Sequence, residues 1–209
     1  MSGPHSGFCR TLARALLAAA LLAALPASAA TLFGVVTDRA APAAVEGARK
    51  HLASHPRDRV VLRTPAQLLA ASDRQLRQWL DADAVLAVSV FGDPARRLVD
   101  ALPASRATTV LAMNGEQRLN LHSRGAAGAL ADFPADTLRQ LAAEQPPAEA
   151  LDAAAAHPPA AAWLAARRSW QAGGADNLAG LYAHLLAGKA LPPPLPEPAL
   201  RLRVGEVER

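Results

Sequence analysis

A chain of 209 residues with 22 Lys+Arg against 18 Asp+Glu is only mildly basic. Its basic residues are nearly all arginine and are scattered without interleaved aromatics, which argues against a nucleic-acid partner. A single cysteine excludes a disulfide framework and a cysteine metal site, and 4% aromatics beside abundant alanine implies thin, small-residue helix contacts.

Arg10 and Arg14 precede an apolar run, Ala15–Leu25, and Ala27-Ser28-Ala29 has the small-x-small form of a cleavage site. Residues 1–29 therefore read as a secretory signal peptide, with Ala30 the first mature residue. The run is too short to span a bilayer, so no membrane span is expected in the mature chain. Cleavage removes Cys9 and leaves 20 basic against 18 acidic residues. The expected location is the periplasm.

The mature sequence alternates strand and helix signals. Leu32–Thr37 is the first strand, followed by a helix over Ala43–Ser54 with Val45, Ala48 and Leu52 at helical spacing. Arg59–Arg63 is the second strand. Thr64-Pro65 caps a short helix to Ala70, and Ser72-Asp73-Arg74-Gln75 is a capping box that starts the next. Ala84–Asp93 is the central stretch, a continuous apolar run suited to a parallel strand buried on both faces. Asp93 is expected as N-cap and Pro94 as first residue of a helix ending at Leu102. Thr108–Met113 is a fourth strand, closed by Asn114-Gly115.

This pattern predicts an α/β fold: a small parallel sheet of about four strands flanked by helices, in flavodoxin-like or Rossmann-like order. The boundaries expected are 1–29 for the signal peptide, 30–132 for the α/β domain, 133–188 for a helical segment and 189–209 for a proline-rich linker and tail. Arg118–Asp132 shows no clear period. Helices follow over Pro134–Glu144, Ala148–Ala156 and Ala160–Ala172, with Pro146-Pro147 and Pro158-Pro159 as breaks. Gly173-Gly174 and the helix Asp176–Ala187 complete an αα-hairpin appendage closed by Gly188. Leu191–Pro198 is a stiff polyproline-type linker, and Leu200–Val204 alternates like a strand.

Three segments, in order, carry a resemblance. They are Phe91-Gly92-Asp93; a strand ending in Asn114 followed by Arg118-Leu119-Asn120-Leu121 and Arg124-Gly125; and Ser169-Trp170-Gln171-Ala172-Gly173-Gly174-Ala175-Asp176-Asn177-Leu178. Together they resemble the N-terminal region of the large subunit of ATP-dependent metal chelatases, the family of the CobN-type cobaltochelatase subunit and the magnesium chelatase H subunit. The resemblance implies a role in tetrapyrrole metal insertion of the cobalamin type, with cobalt or magnesium as the inserted ion and further chelatase subunits as partners. It implies no cofactor held by this segment, and it puts the family's main chelation region outside these residues. The chain is thus expected to be an exported, truncated relative that is not by itself a competent enzyme.

The best ligand candidates are Asn114, Arg118, His122 and Arg124, which follow a strand's carboxyl end, where open α/β sheets concentrate binding. Guanidinium forks match carboxylates such as those of a tetrapyrrole, and His122 can meet a metal or a ring edge. The plainer alternative is a loop whose arginines pair with local acids. Phe91–Pro94 is expected to cap a helix. His51 and His55 are four apart on one helix but lack a third ligand, and a surface position is expected for both. Trp163, Arg167 and Trp170 form a stripe that either stacks on a flat macrocycle or packs one helix on its neighbour, and packing is the expected role. No P-loop, G-x-G-x-x-G or nucleophile elbow is present, and no catalytic residue is assigned. The alternative functions are a free-standing periplasmic module for a small anionic ligand and a non-catalytic docking domain.

Overall fold

The computed structural model describes residues 29–196. The expected leader up to residue 28 and the strand-like Leu200–Val204 lie outside the described residues. Six strands form one mixed sheet in the order β2-β1-β3-β4-β5-β6. Thr31–Val36 (β1), Arg59–Arg63 (β2), Ala84–Val88 (β3) and Thr109–Met113 (β4) are all parallel. The 2-1-3-4 order is flavodoxin-like and decides between the two orders left open by the sequence.

The expected strand count was about four. Two more come from the stretch without a period: Arg124–Gly125 (β5) and Gly128–Ala129 (β6) form an antiparallel hairpin on the β4 edge. Strands of two residues are too short to show alternation. Ser123 helps to hold this edge, because its hydroxyl accepts from the Ala112 amide at 2.9 Å and donates to the Ala112 carbonyl at 3.1 Å.

Alternate residues of the central strands face two cores. Leu32, Val36, Leu86, Val88, Leu111 and Met113 point to one face, and Phe33, Val35, Val85, Ala87, Val110 and Ala112 to the other. Helices Pro65–Ala70 (α2), Asp73–Leu80 (α3), Gly92–Ala101 (α4) and Gln117–Asn120 (α5) supply the second core. Helix Ala41–Ser54 (α1) and the later helices Ala135–Leu141 (α6), Ala148–Ala155 (α7), Pro158–Ala172 (α8) and Gly174–Ala187 (α9) cover the first. The expected αα-hairpin exists, but it is not an appendage: Leu138, Trp163, Leu181 and Tyr182 share one core with Leu32 and Leu86.

Local signals decide most boundaries. Thr64 and Ser72 both make complete capping boxes, with Gln67 and Gln75. Pro158-Pro159 marks the expected break between α7 and α8, and the two prolines open α8, where a missing N–H costs nothing. Asp93 is not the N-cap: α4 starts at Gly92 behind Phe91, and Asp93 sits in the first turn paired with Arg96. Helix α1 buries Ala44, Gly47, Ala48 and His51, not the expected Val45 and Leu52. The close approach of α9 selects that face, since a Cβ on Gly47 would lie 2.4 Å from Leu178 Cβ.

Tyr182 crosses this α1–α9 contact and donates its buried hydroxyl to the Ala44 carbonyl at 2.9 Å. Burial pushes the phenol well above its ordinary range. It is the only tyrosine. The folded chain should therefore show no tyrosinate absorbance as pH passes about 10, the ordinary value. Above that pH the unfolded state sheds the proton that the folded state keeps, so stability falls as pH rises. Absorbance and circular dichroism should change together, and a tyrosinate signal that precedes unfolding would contradict the burial.

Candidate functional site

Parallel strands β1, β3 and β4 end at a common rim. The chain leaves β1 toward β2 on one side and β3 toward β4 on the other, so the rim between β1 and β3 is the switch point where such sheets bind ligands. Two strands leave it in the same unusual way. Val88 and Met113 are register partners, and the residues that follow them, Ser89 and Asn114, have φ of +56° and +52°. Left-handed backbone is tolerated by Asn and costs more at Ser, so the surrounding structure must hold it.

Bonds between the loops do so. The Ser89 amide donates to the Met113 carbonyl at 3.0 Å and the Glu116 amide to the Val90 carbonyl at 2.9 Å. The Glu116 carboxylate accepts from the Gly92 amide at 2.9 Å. Gly92 has φ +62°, and a Cβ at Gly115 would sit 2.6 Å from the Val90 carbonyl oxygen, so both positions need glycine. Beside them Phe91 stands out of the protein, 59% exposed.

Below the rim Arg167 is buried in the first core. Its Nε donates to Asn114 Oδ1 at 2.8 Å, and one terminal nitrogen donates to the Ala142 and Ala143 carbonyls at 2.5 and 3.3 Å. Burial first, and then the neighbouring Arg168 charge, lowers its pKa from the ordinary range. Guanidinium nonetheless keeps its proton in proteins. The carbonyls it meets belong to the end of α6, where helix dipole and orphan acceptors favour a cation. Arg167 thus clamps the Asn114 turn to α6 and is no platform for a ligand.

The four expected ligand residues do not converge. Asn114 is at the rim, but its side-chain oxygen is taken by Arg167. Arg118 is exposed on α5. Arg124 pairs in register with Val110 and donates to the Ala107 carbonyl at 3.1 Å, toward the amino end of β4. The antiparallel return of β5 carries it away from the rim. His122 is half-buried, and burial first, with the Arg124 charge second, lowers its pKa. Among the described residues, no three His, Cys, Asp or Glu side chains come together as a metal site.

Of the four, Arg124 lines a cavity. This cavity of about 180 Å³ lies between the β4–β5 edge and helices α8 and α9, with Trp163, Leu130, Leu185 and His184 in its walls. It is mostly apolar and smaller than the ~300 Å³ at which small-molecule pockets begin. A second, open groove of about 740 Å³ runs between α3 and α4, lined by Arg74, Arg77, Arg97 and Arg106 and by Asp73, Asp81 and Asp100. Its chemistry is structural: Arg97 donates to the Leu68, Leu69 and Ala71 carbonyls, closing the end of α2, and Arg106 pairs with Asp81.

His51 is not at the surface. It is 2% exposed, with Nε2 2.9 Å from Asp58 Oδ2, and its ring stacks on His55 at 4.5 Å. Trp163 packs in the first core and the half-buried Trp170 packs against it, as expected, and Trp163 Nε1 donates to the Ala112 carbonyl at 2.8 Å. The described part of the proline-rich linker does not project: Leu195 exchanges two 2.8 Å bonds with the Asn177 amide. Sequence reading did not single out Ser89 or Glu116, and it took His184, which lines the cavity, as an ordinary polar-face residue. Only Glu116 carried a signal, as an acid beside the Asn114-Gly115 turn.

No known family model matches the chain, and no curated protein matches it significantly.

Proposed function

We propose that this chain is the α/β module of a cobaltochelatase-like large subunit, exported to the periplasm, with a part in handling a tetrapyrrole and its cobalt or magnesium. Its role is to bind or position, and further chelatase subunits would supply the chemistry. The observation that carries the reading is the Arg167–Asn114 bond. Parts of the segments behind the resemblance, dozens of residues apart, meet at the rim, where Phe91-Gly92-Asp93 touches the Asn114 turn and Asn114 touches Arg167 just ahead of the third segment, while Arg124-Gly125 lies away from it. Gly92 joins Glu116, Asn114 joins Arg167, and Ser169 donates to the Asn177 carbonyl at 3.1 Å within the Gly173-Gly174 segment. A macrocycle is too large for the 180 Å³ cavity, so it would lie on the open rim against Phe91.

The test is a titration of the exported chain with a soluble carboxylated porphyrin, with and without cobalt or magnesium, read by quenching of tryptophan emission. Saturable quenching is expected, weakened at least tenfold by Phe91→Ala. Because Phe91 is exposed, that change leaves the core intact. Unquenched emission at high porphyrin removes the reading. The mostly apolar cavity favours one other function, a small-ligand module. That function predicts binding of a single-ring carboxylate that Arg124→Ala abolishes and Phe91→Ala leaves alone.

A further inference from the structure

We propose that cleavage between Ala29 and Ala30 turns the Ala30 nitrogen into an α-ammonium seated on the Asp58 carboxylate, so that Ala30, Asp58 and His51 form a receiving site for a processed N-terminus. This rests on the reading of residues 1–29 as a signal peptide. The step is a hydrolysis by a leader peptidase that accepts small residues. One water is consumed, the C–N bond breaks, Ala29 leaves as a carboxylate, and the Ala30 nitrogen keeps the bonding pair and ends as an ammonium.

The geometry is already set for the product. Ala29 is exposed and Ala30 is half-buried. The Ala30 nitrogen lies 3.1 Å from Asp58 Oδ1. That nitrogen is held from its other side: the Ala30 carbonyl accepts from the Arg59 amide at 2.8 Å, and the Thr31 amide donates to Asp83 Oδ2 at 2.7 Å. A carboxylate that receives a fixed donor gains most when the donor is charged, since such bonds are about twice as strong as neutral ones.

Asp58 is also short of a cation. Its side chain is only 15% exposed, and among the described residues its one ion-pair neighbour is His51. His51 meets the Oδ2 side of Asp58 through Nε2. With its proton on Nε2 the ring donates to Asp58, and the buried Nδ1, which has no partner, is left as a lone pair. A second proton would bury an unpaired N–H against the stacked His55 ring. His55 gives no help, because its Nδ1 donates to the His51 carbonyl at 3.3 Å and its Nε2 accepts from Lys189 Nζ at 3.2 Å. Oδ1, the oxygen that faces the Ala30 nitrogen and not His51, gains a charged donor when that nitrogen becomes an α-ammonium.

The test begins with the intact mass of the chain after expression from its full sequence with export. A mature species starting at Ala30 is expected. Two changes are then made singly and together: a Gly-Ser-Gly extension ahead of Ala30, and Asp58→Asn. Each alone should lower the melting temperature by about 2–4 °C, the shift of a pairing of this size in a domain this long. In the Asp58→Asn background the extension should cost nothing further, because the partner is already gone. An uncleaved chain, or one starting at Thr31 with its ammonium on Asp83, overturns the processing reading and the proposal with it. An Ala30 start with fully additive effects, or with an extension that costs nothing, leaves the processing standing and overturns the pairing.

Discussion

Arg167→Met should lower the unfolding free energy by about 3–5 kcal/mol, measured by urea denaturation near neutral pH. Arg167 is 5% exposed, and its guanidinium serves Asn114 Oδ1 and the Ala142 and Ala143 carbonyls together. Methionine fills much of its volume but satisfies none of them. Three acceptors then lose a charged donor, and the left-handed Asn114 loses the bond that fixes it. Arg167→Lys should recover only part of the loss, because an ammonium cannot reach along both edges of the fork. Asn114→Ala, which removes one acceptor and favours ordinary backbone, should cost less than Arg167→Met. If Arg167→Met instead left stability unchanged, the clamp would have no energetic weight, and the rim would owe its shape to packing alone.

Trp163→Ala should cost a similar amount, about 3–5 kcal/mol, through lost burial and the space left behind. Trp163 is 2% exposed in the first core and already borders the 180 Å³ cavity, so truncation merges the two spaces. An enlarged, mostly apolar cavity of this kind has room for a small aromatic molecule. Saturating indole should therefore raise the melting temperature of Trp163→Ala and not that of the parent chain. Trp163→Phe isolates the polar part. The Ala112 carbonyl loses the indole donor but keeps the Ser123 hydroxyl, so this change should cost only about 1 kcal/mol. A cost for Trp163→Phe as large as for Trp163→Ala would mean that the hydrogen bond, not the volume, carries the effect.

The α/β class was readable because its signals are local and repeated. Ala84–Val88 has no polar residue to show a solvent face, and Thr64 and Ser72 announce their helices through Gln67 and Gln75. What was not readable depends on partners far along the chain. The buried face of α1 is chosen by Leu178 and Tyr182, more than a hundred residues away, so Val45 looked as suitable as Gly47. The β5–β6 hairpin is too short to alternate, yet it reverses the chain and removes Arg124 from Asn114. That reversal is why four residues spaced like a binding loop do not form one. Nor could composition show that Asp58 and His51, seven apart, would be buried together, since burial there depends on β2 lying beside β1.

Among the described residues the outer border of the sheet is β2, whose far side has no neighbouring strand. It is only five residues long and has an arginine at each end, Arg59 and Arg63. Arg63 turns back on its own strand, donating to the Leu62 carbonyl at 2.8 Å while its guanidinium lies over the Trp79 ring at 5.0 Å. An incoming strand from another molecule would have to strip water from two charges and displace that bond before it could dock. A protein with valines in an open border strand is thereby guarded against joining others into ribbons, and neutralising both guanidiniums should make concentrated solutions turn cloudy.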